Sequence, residues 1–196
     1  MIPVKSFHDA KERLAGVLSR AERQQLARSL AEGVISALAS RVVCVVCDDD
    51  EVASWARHVG AGVVWAPGKG LNPAVATGVD HLKAQGFETV TIVHADLPSP
   101  ERLTALPSTE GALLVPDRHG DGTNVLRIPT GVSFTFAYGP GSFARHEHEA
   151  RRLGLEVIVV DDAELALDID VPDDLVLAEA RTRLWGPEGP HRSTPR

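Results

Sequence analysis

Short apolar segments alternate with helix-compatible segments through the first half of the chain, and this alternation constrains the fold more than any other feature. A continuous apolar run over residues 42–47 ends at three consecutive aspartates, as expected for a buried strand of a parallel sheet. Ser19 and Glu22 form a capping box before a long segment whose apolar residues recur at helical spacing. The alternation predicts an α/β protein with a central, mostly parallel sheet and right-handed crossovers.

The remaining pattern predicts a less regular second half and one domain. With 196 residues and 43% hydrophobic content, the chain can form one substantial core, and we expect a single domain over residues 1–183. The segment 184–196 is rich in Pro, Gly, Arg and Ser, which predicts a disordered tail. The later strands are expected to give the sheet a mixed or antiparallel edge. Beyond residues 42–47, the pattern predicts strands at 62–66, 88–94, 111–115, 125–128, 132–138, 155–160 and 165–170, helices at 51–59 and 142–153, a helix from Pro172, and a loop at 67–73 before a helix ending near residue 84.

Charge and composition exclude several functional classes. The formal net charge is −7, so a nucleic-acid surface is not expected, because phosphate backbones bind clustered Lys and Arg. No run of eighteen apolar residues and no signal-peptide pattern is present, which predicts a cytoplasmic protein without a membrane span. Cys44 and Cys47 have CxxC spacing, but they lie in the apolar run, where two small buried side chains are the favoured interpretation. A homodimer is compatible with a small α/β enzyme of this kind.

A basic segment follows the apolar start of the chain. Lys5, Lys11 and Arg13 lie within nine residues, at the predicted carboxyl end of the first strand. Ligands of open α/β sheets bind at this edge, and three cations there would neutralise a nucleoside triphosphate. An ordinary solvated basic stretch is the alternative. Neither the P-loop pattern nor GxGxxG is present.

Three carboxylates follow other apolar segments. Asp96 comes after the strand predicted at 88–94, and Asp168 and Asp170 end the strand predicted at 165–170. Residues two apart in a strand point to the same face, so Asp168 and Asp170 would project together. Three acids at strand ends are suited to Mg²⁺ bound to phosphates. The alternatives are a loop acid before proline for Asp96 and a helix-start residue for Asp170.

Two further segments are candidates for binding a ligand. Glycines surround Thr123 in the loop predicted at 116–124, and Ser142 begins a helix after Gly139, where backbone N–H groups can bind an anion. Two ordinary turns are the alternative. Asn72, in the loop predicted at 67–73, carries an amide that could read a base edge, although Asn-Pro is also a common turn.

Taken in order, these segments resemble the 2-phospho-L-lactate guanylyltransferase family, whose relatives use phosphoenolpyruvate or 3-phosphoglycerate. The resemblance covers residues 3–180, and its motifs are specific as an ordered set rather than singly. They are Pro3-Val4-Lys5, Ala10-Lys11-x-Arg13-Leu14-Ala15, Gly70-Leu71-Asn72, Ala95-Asp96-Leu97-Pro98, Asp121-Gly122-Thr123-Asn124, Tyr138-Gly139-Pro140-Gly141-Ser142 with His146, and Asp168-Ile169-Asp170.

The resemblance implies a three-layer nucleotidyltransferase fold of the GT-A type and a role in coenzyme F-420 biosynthesis. It implies that GTP donates GMP to a phosphorylated three-carbon acid, with Mg²⁺ as the cofactor and pyrophosphate as the second product. The roles it implies for individual residues are Asp96, Asp168 and Asp170 at the metal, Lys5, Lys11 and Arg13 at the GTP phosphates, Asn72 near the nucleoside, and Thr123, Gly139 and Ser142 at the acid.

Two other functions remain open from the sequence. A molybdopterin or sugar-nucleotide enzyme of the same fold typically has a glycine-rich loop after the first strand, where this chain has Ser6-Phe7-His8-Asp9. A non-catalytic nucleotide-binding module would have no need of three acids at strand ends. The sequence does not choose among phosphoenolpyruvate, 2-phospho-L-lactate and 3-phosphoglycerate as the acid.

Overall fold

The computed structural model describes residues 1–68 and 70–185, in which strands and helices alternate as the sequence predicts. Two 3₁₀ helices, Glu12–Leu14 and Pro100–Ala105, lie in the connections. The strands are β1 Ile2–Pro3, β2 Cys44–Cys47, β3 Gly62–Trp65, β4 Thr89–Val93, β5 Ala112–Pro116, β6 Thr123–Pro129 and β7 Val157–Val159, and the helices are α1 Arg20–Ala37, α2 Asp50–His58, α3 Leu71–Ala84, α4 Ser142–Arg152 and α5 Pro172–Trp185.

The strands form a parallel sheet and a mixed sheet that meet beside β1. β1, β2 and β3 pair in parallel, in that order. β6 pairs antiparallel with β4 and β5, and β5 pairs in parallel with β7. The α-ammonium of Met1 donates to the Thr91 carbonyl at 2.8 Å, and the Val93 N–H donates to the Met1 carbonyl at 3.0 Å. These bonds place β4 beside β1 and give the order β3-β2-β1-β4-β6-β5-β7.

Helices cover both faces of the strands, which gives the three layers that the family resemblance implies. Apolar residues of α1 and α2 pack in one core cluster, while those of α3 and α4 pack in a second cluster on the other face. Neighbouring residues of β2 alternate between the clusters, because successive strand side chains point to opposite faces. Cys44 therefore joins the α3 cluster and Cys47 the α1 cluster, and both are buried free thiols, as predicted.

The strand predicted at residues 132–138 is wrong. The backbone there is irregular, because side chains rather than a neighbouring strand accept its N–H groups. Glu149 accepts from the Thr135 N–H at 2.9 Å, and His146 accepts from the Ala137 N–H at 3.0 Å. Asn72 accepts from the Tyr138 N–H at 2.6 Å. Phe134 is nevertheless buried, which explains the apolar signal.

The strand predicted at residues 165–170 is also wrong. The carboxylate of Asp162 accepts from the N–H groups of Glu164 and Leu165, which stabilises a turn instead of a ladder. The amide of Asn124 donates to the carbonyls of Leu165 and Ala166 at 3.0 and 3.1 Å. The alternating apolar residues of this segment are buried, but they pack into the core without pairing to a strand.

Two smaller differences concern element boundaries. Asn72 lies in the first turn of α3 rather than in a loop, because the proline that follows it needs no N–H partner there. Thr123 is the first residue of β6. The tail predicted from residue 184 lies outside the described residues except for the end of α5. In the described part of the chain, no helix combines the length and apolar character needed to cross a bilayer.

Candidate active site

Two adjoining cavities open at the carboxyl ends of the parallel strands, where the sequence predicts a ligand. The larger, of about 640 Å³, lies between the ends of β1–β3 and the start of α3. The smaller, of about 190 Å³, is lined by residues that include Lys11, His94 and Asp96. Exposed Lys5 lines both cavities, so it can reach a ligand that extends from one into the other. The larger volume is in the range of cavities that bind small molecules.

An ion cluster brings together residues that are distant in sequence. The ammonium of Lys11 lies 2.6 Å from Asp96 Oδ2 and 3.6 Å from Asp170 Oδ1. Arg13 contacts the same Asp170 carboxylate at 2.8 Å. The side chain of Lys11 is only 9% exposed, and its backbone is left-handed with φ 56°, which is uncommon for a residue other than glycine. A strained backbone conformation at Lys11 therefore brings its ammonium to the carboxylates.

Burial and neighbouring charges shift the pKa values in opposite directions. Burial alone would lower the pKa of Lys11, but Asp96, Asp170 and Asp168 raise it above its ordinary value. Burial would raise the pKa of Asp96, yet Lys11 and His94 lower it. Burial and the charge of Asp96 raise the pKa of Asp168. Lys11 and Asp96 are therefore a charged pair, and Asp168 is a nearby carboxylate without full compensation.

The site has buried polar atoms that lack a partner among the described residues. They include His94 Nε2, Asp96 Oδ1 and the hydroxyl of Tyr138. A divalent cation between Asp96 and Asp168 would give Asp96 Oδ1 a partner and reduce the repulsion between the two carboxylates. The donor chemistry therefore fits Mg²⁺. In the part of the chain that the structure describes, no three acidic, His or Cys side chains are spaced to hold a metal ion as they stand. The metal site at Asp96, Asp168 and Asp170 stays a prediction.

The residues predicted to bind an acid lie together, and two of them are buried. The Thr123 hydroxyl lies 3.3 Å from the Ser142 hydroxyl and 3.0 Å from His146 Nδ1. Because His146 Nε2 accepts from the Ala137 N–H, Nδ1 carries the proton and donates to Thr123. Burial, Arg145 and His94 lower the pKa of His146 to about 4, so the ring is neutral at neutral pH.

Gly139 is an exposed residue of the turn that precedes Ser142. Its φ of 115° is a conformation that L side chains rarely adopt, and the residue is exposed. Two hydrogen bonds hold the turn. The N–H of buried Ser142 donates to the Gly139 carbonyl at 3.0 Å, and the Asp121 carboxylate accepts from the Gly141 N–H at 2.9 Å. The exposed backbone of the turn is therefore the part that can contact a ligand directly.

Asn72 has a partner that its sequence context did not reveal. Its Oδ1 accepts from the Tyr138 N–H at 2.6 Å, and its Nδ2 donates to the Tyr138 carbonyl at 3.3 Å. This pair connects the start of α3, beside the larger cavity, to the turn at Gly139. The amide keeps a second N–H and a second lone pair on Oδ1 that could contact a base, and its predicted place at the nucleoside stays a prediction.

Sequence reasoning missed residues that hold the cluster in place. Asn124 supports the segment before Asp168 and lies 3.4 Å from the Asp168 carboxylate. Asp174 accepts from the N–H groups of Asp170 and of the next residue, and it pairs with Arg118 at 2.8 Å. A polar residue at the buried start of a strand was the available signal for Asn124. The ion pair of Asp174 with Arg118 joins residues 56 positions apart and had no local signal.

Sequence comparison identifies one matching family and many similar proteins. A family model described as "Guanylyl transferase CofC like" matches residues 1–179. A phosphoenolpyruvate guanylyltransferase of Sphaerobacter thermophilus is 39% identical over 184 residues, which cover 89% of this chain and 89% of the relative. A 2-phospho-L-lactate guanylyltransferase of Methanothermobacter thermautotrophicus is 35% identical over 184 residues, with 89% and 81% covered.

Solved structures with the same fold are more distant in sequence. A putative nucleotide-diphospho-sugar transferase from Desulfovibrio desulfuricans superposes with a TM-score of 0.73 at 18% identity, covering 92% of this chain and 85% of that one. A CMP:2-keto-3-deoxy-manno-octonic acid synthetase complexed with CTP gives a TM-score of 0.59 at 11% identity, with 93% and 97% covered. These similarities confirm the predicted nucleotidyltransferase fold.

Proposed function

Because the chain belongs to the CofC-like guanylyltransferase family, we propose that it transfers GMP from GTP to a phosphorylated three-carbon acid and releases pyrophosphate. The acid is phosphoenolpyruvate, 2-phospho-L-lactate or 3-phosphoglycerate, and the reaction serves coenzyme F-420 biosynthesis in the cytoplasm. The observation that carries the proposal is the cluster of Lys11, Asp96 and Asp170 beside the two cavities. It provides fixed charge where a triphosphate and a second phosphate would meet.

The proposed chemistry needs no protein nucleophile. A phosphate oxygen of the acid attacks the α-phosphorus of GTP in line, a new P–O bond forms, and the bond to the bridging oxygen of the β-phosphate breaks. Lys5, Lys11 and Arg13 would neutralise the charge that develops on the departing pyrophosphate. Lys11 is suited to this role because the surrounding carboxylates raise its pKa and keep it protonated. Positioning of the two substrates supplies the remainder of the acceleration.

The carboxylates would serve a metal ion. Asp96, Asp168 and Asp170 are the residues that would hold Mg²⁺, which supplies positive charge beside the phosphates when it is bound. The unpartnered Asp96 Oδ1 and the raised pKa of Asp168 support this assignment. Thr123, Gly139 and Ser142 would form the acid site, with the exposed backbone at Gly139 in direct contact and the two buried hydroxyls supporting it.

The proposal predicts that pyrophosphate forms only when GTP, the acid and Mg²⁺ are all present. We expect GTP to be used at least about tenfold faster than ATP at subsaturating concentration, since an unpaired polar group at a base costs about 1–3 kcal/mol. The measurement is pyrophosphate release from wild-type protein with each nucleotide and each of the three acids. Reactions without acid are the control. Equal rates with ATP and GTP would contradict the guanylyl assignment. No pyrophosphate release with any of the three acids would contradict the proposed enzyme activity.

Loss of a hydroxyl in the acid site should weaken the acid more than the nucleotide. Ser142→Ala and Thr123→Val each break the chain of buried hydrogen bonds that supports Gly139. We expect the KM for the acid to rise about tenfold, because a buried polar group left without its partner costs about 1–3 kcal/mol, and the KM for GTP to change little. Ser133→Ala is the matched control, because Ser133 is an exposed residue in the connection between β6 and α4. A larger effect on GTP than on the acid would show that the acid site is placed wrongly.

A further inference from the structure

The larger cavity contains a carboxylate that the reaction described above does not use. Among the described residues lining this cavity, Asp48 is the acidic one, and Lys5 is the basic one. Most of the other lining residues are apolar or glycine, including Val46, Ala66 and Leu71. An apolar cavity with one anionic acceptor is suited to a ring that presents hydrogen-bond donors at its edge.

Asp48 follows β2 directly and lies at the carboxyl edge of the sheet. It is exposed, and Gly68 donates its N–H to Oδ2 at 3.3 Å. Among the described residues, Asp48 is in no ion pair, and the Gly68 N–H contacts one of its two carboxylate oxygens. The next residue differs, since Asp49 caps α2 by accepting from the Val52 N–H at 3.0 Å. Helix capping therefore accounts for Asp49 but not for Asp48.

The edges of the purine bases differ in a way that a carboxylate can read. Guanine presents two adjacent donors, its ring N1–H and its 2-amino group, and one carboxylate can accept from both. Adenine has an unprotonated, accepting N1 and no amino group at position 2, so the same carboxylate would meet a lone pair. A site built around such a pair of hydrogen bonds rejects a ring that cannot form them.

We propose that Asp48 is the residue that selects guanine, by accepting hydrogen bonds from N1–H and the 2-amino group of a base in the larger cavity. This assignment rests on the proposed function and adds the atom pair that sets its nucleotide preference. It places the base at the ends of β2 and β3 and the phosphates toward Lys5 and Lys11, which line the smaller cavity.

The experiment compares four nucleotides in wild-type protein and two variants. Wild-type kcat/KM should fall in the order GTP, ITP, ATP, because inosine keeps one of the two donors and adenosine keeps neither. Asp48→Asn should lower kcat/KM for GTP by at least about 30-fold, on the scale of losing hydrogen bonds to a charged group. The same variant should gain activity with XTP, because the amide can donate to the 2-carbonyl of xanthine and accept from its N1–H.

Asp50→Asn is the matched control, since it removes the same charge at an exposed position in the first turn of α2, outside the cavity lining. It should leave the nucleotide order unchanged. A gain of XTP activity in Asp48→Asn cannot come from misfolding, so it would support the assignment even if the variant were less stable. Unchanged discrimination among GTP, ITP and ATP, or no gain with XTP, would overturn it. An inactive wild-type protein with GTP would instead contradict the proposed function.

Discussion

Asp168→Asn is expected to lower turnover by at least about 100-fold, which is the effect of losing one key electrostatic group at a reacting phosphate. The fold should stay intact. The substitution keeps the shape of the side chain and its contact with Asn124, but it removes one of the charges that would hold Mg²⁺. Burial and the charge of Asp96 already disfavour ionised Asp168 in the folded protein. Removing the charge should therefore hold or raise the melting temperature when no divalent metal is present.

The pH dependence of stability gives a second readout of the same variant. The pKa of Asp168 is raised in the folded protein, so this group lowers stability as the pH rises from its ordinary value through its folded value. That decrease should be absent in Asp168→Asn when Mg²⁺ is absent. Asp173→Asn, an exposed carboxylate at the start of α5, is the control and should retain both turnover and the decrease. Turnover near that of the wild type in Asp168→Asn would contradict the metal assignment.

The parts of the fold that the sequence predicts well are those in which one local pattern decides the structure. The capping box at Ser19 and Glu22 begins α1 as expected, with both of its hydrogen bonds present. The apolar run before Asp48 forms β2, because a fully buried strand needs no polar face. Asp96 follows β4 as predicted, whereas Asp170 reaches the same lysine although its segment forms no strand.

The parts that the sequence misses depend on contacts between distant segments. An apolar alternation marks residues 165–170 as buried, but it does not show that side chains such as Asn124 will satisfy the backbone instead of a strand. The salt bridge between Lys11 and Asp96 joins residues 85 positions apart, and nothing local indicates it. Asn72 was expected at a base, whereas both ends of its amide contact Tyr138. Polar side chains have several potential partners, and only the packed chain determines which one is near.

Lys11→Met is expected to impair both catalysis and stability, and this combination distinguishes it from loss of Lys5. Turnover should fall at least about 100-fold, because a fixed positive charge near the phosphates is lost. The free energy of unfolding at neutral pH should fall by about 3 kcal/mol, since removal of one partner leaves a buried carboxylate uncompensated. Lys5→Met is the matched control: Lys5 lines both cavities but is exposed, so its loss should impair turnover and leave stability unchanged.

The pH dependence of that stability loss identifies Asp96 as the partner of Lys11. In the wild type, burial would raise the pKa of Asp96, but Lys11 and His94 lower it, so Asp96 contributes stability above its unfolded pKa that is lost as the pH falls through its folded pKa. Without Lys11, burial should dominate and the pKa should rise, which reverses the sign of that contribution. The stability difference between wild type and Lys11→Met should therefore be small in acid and grow toward neutral pH. Urea denaturation across this range measures it, and a difference independent of pH would show that lost packing, rather than the charge on Asp96, causes the destabilisation.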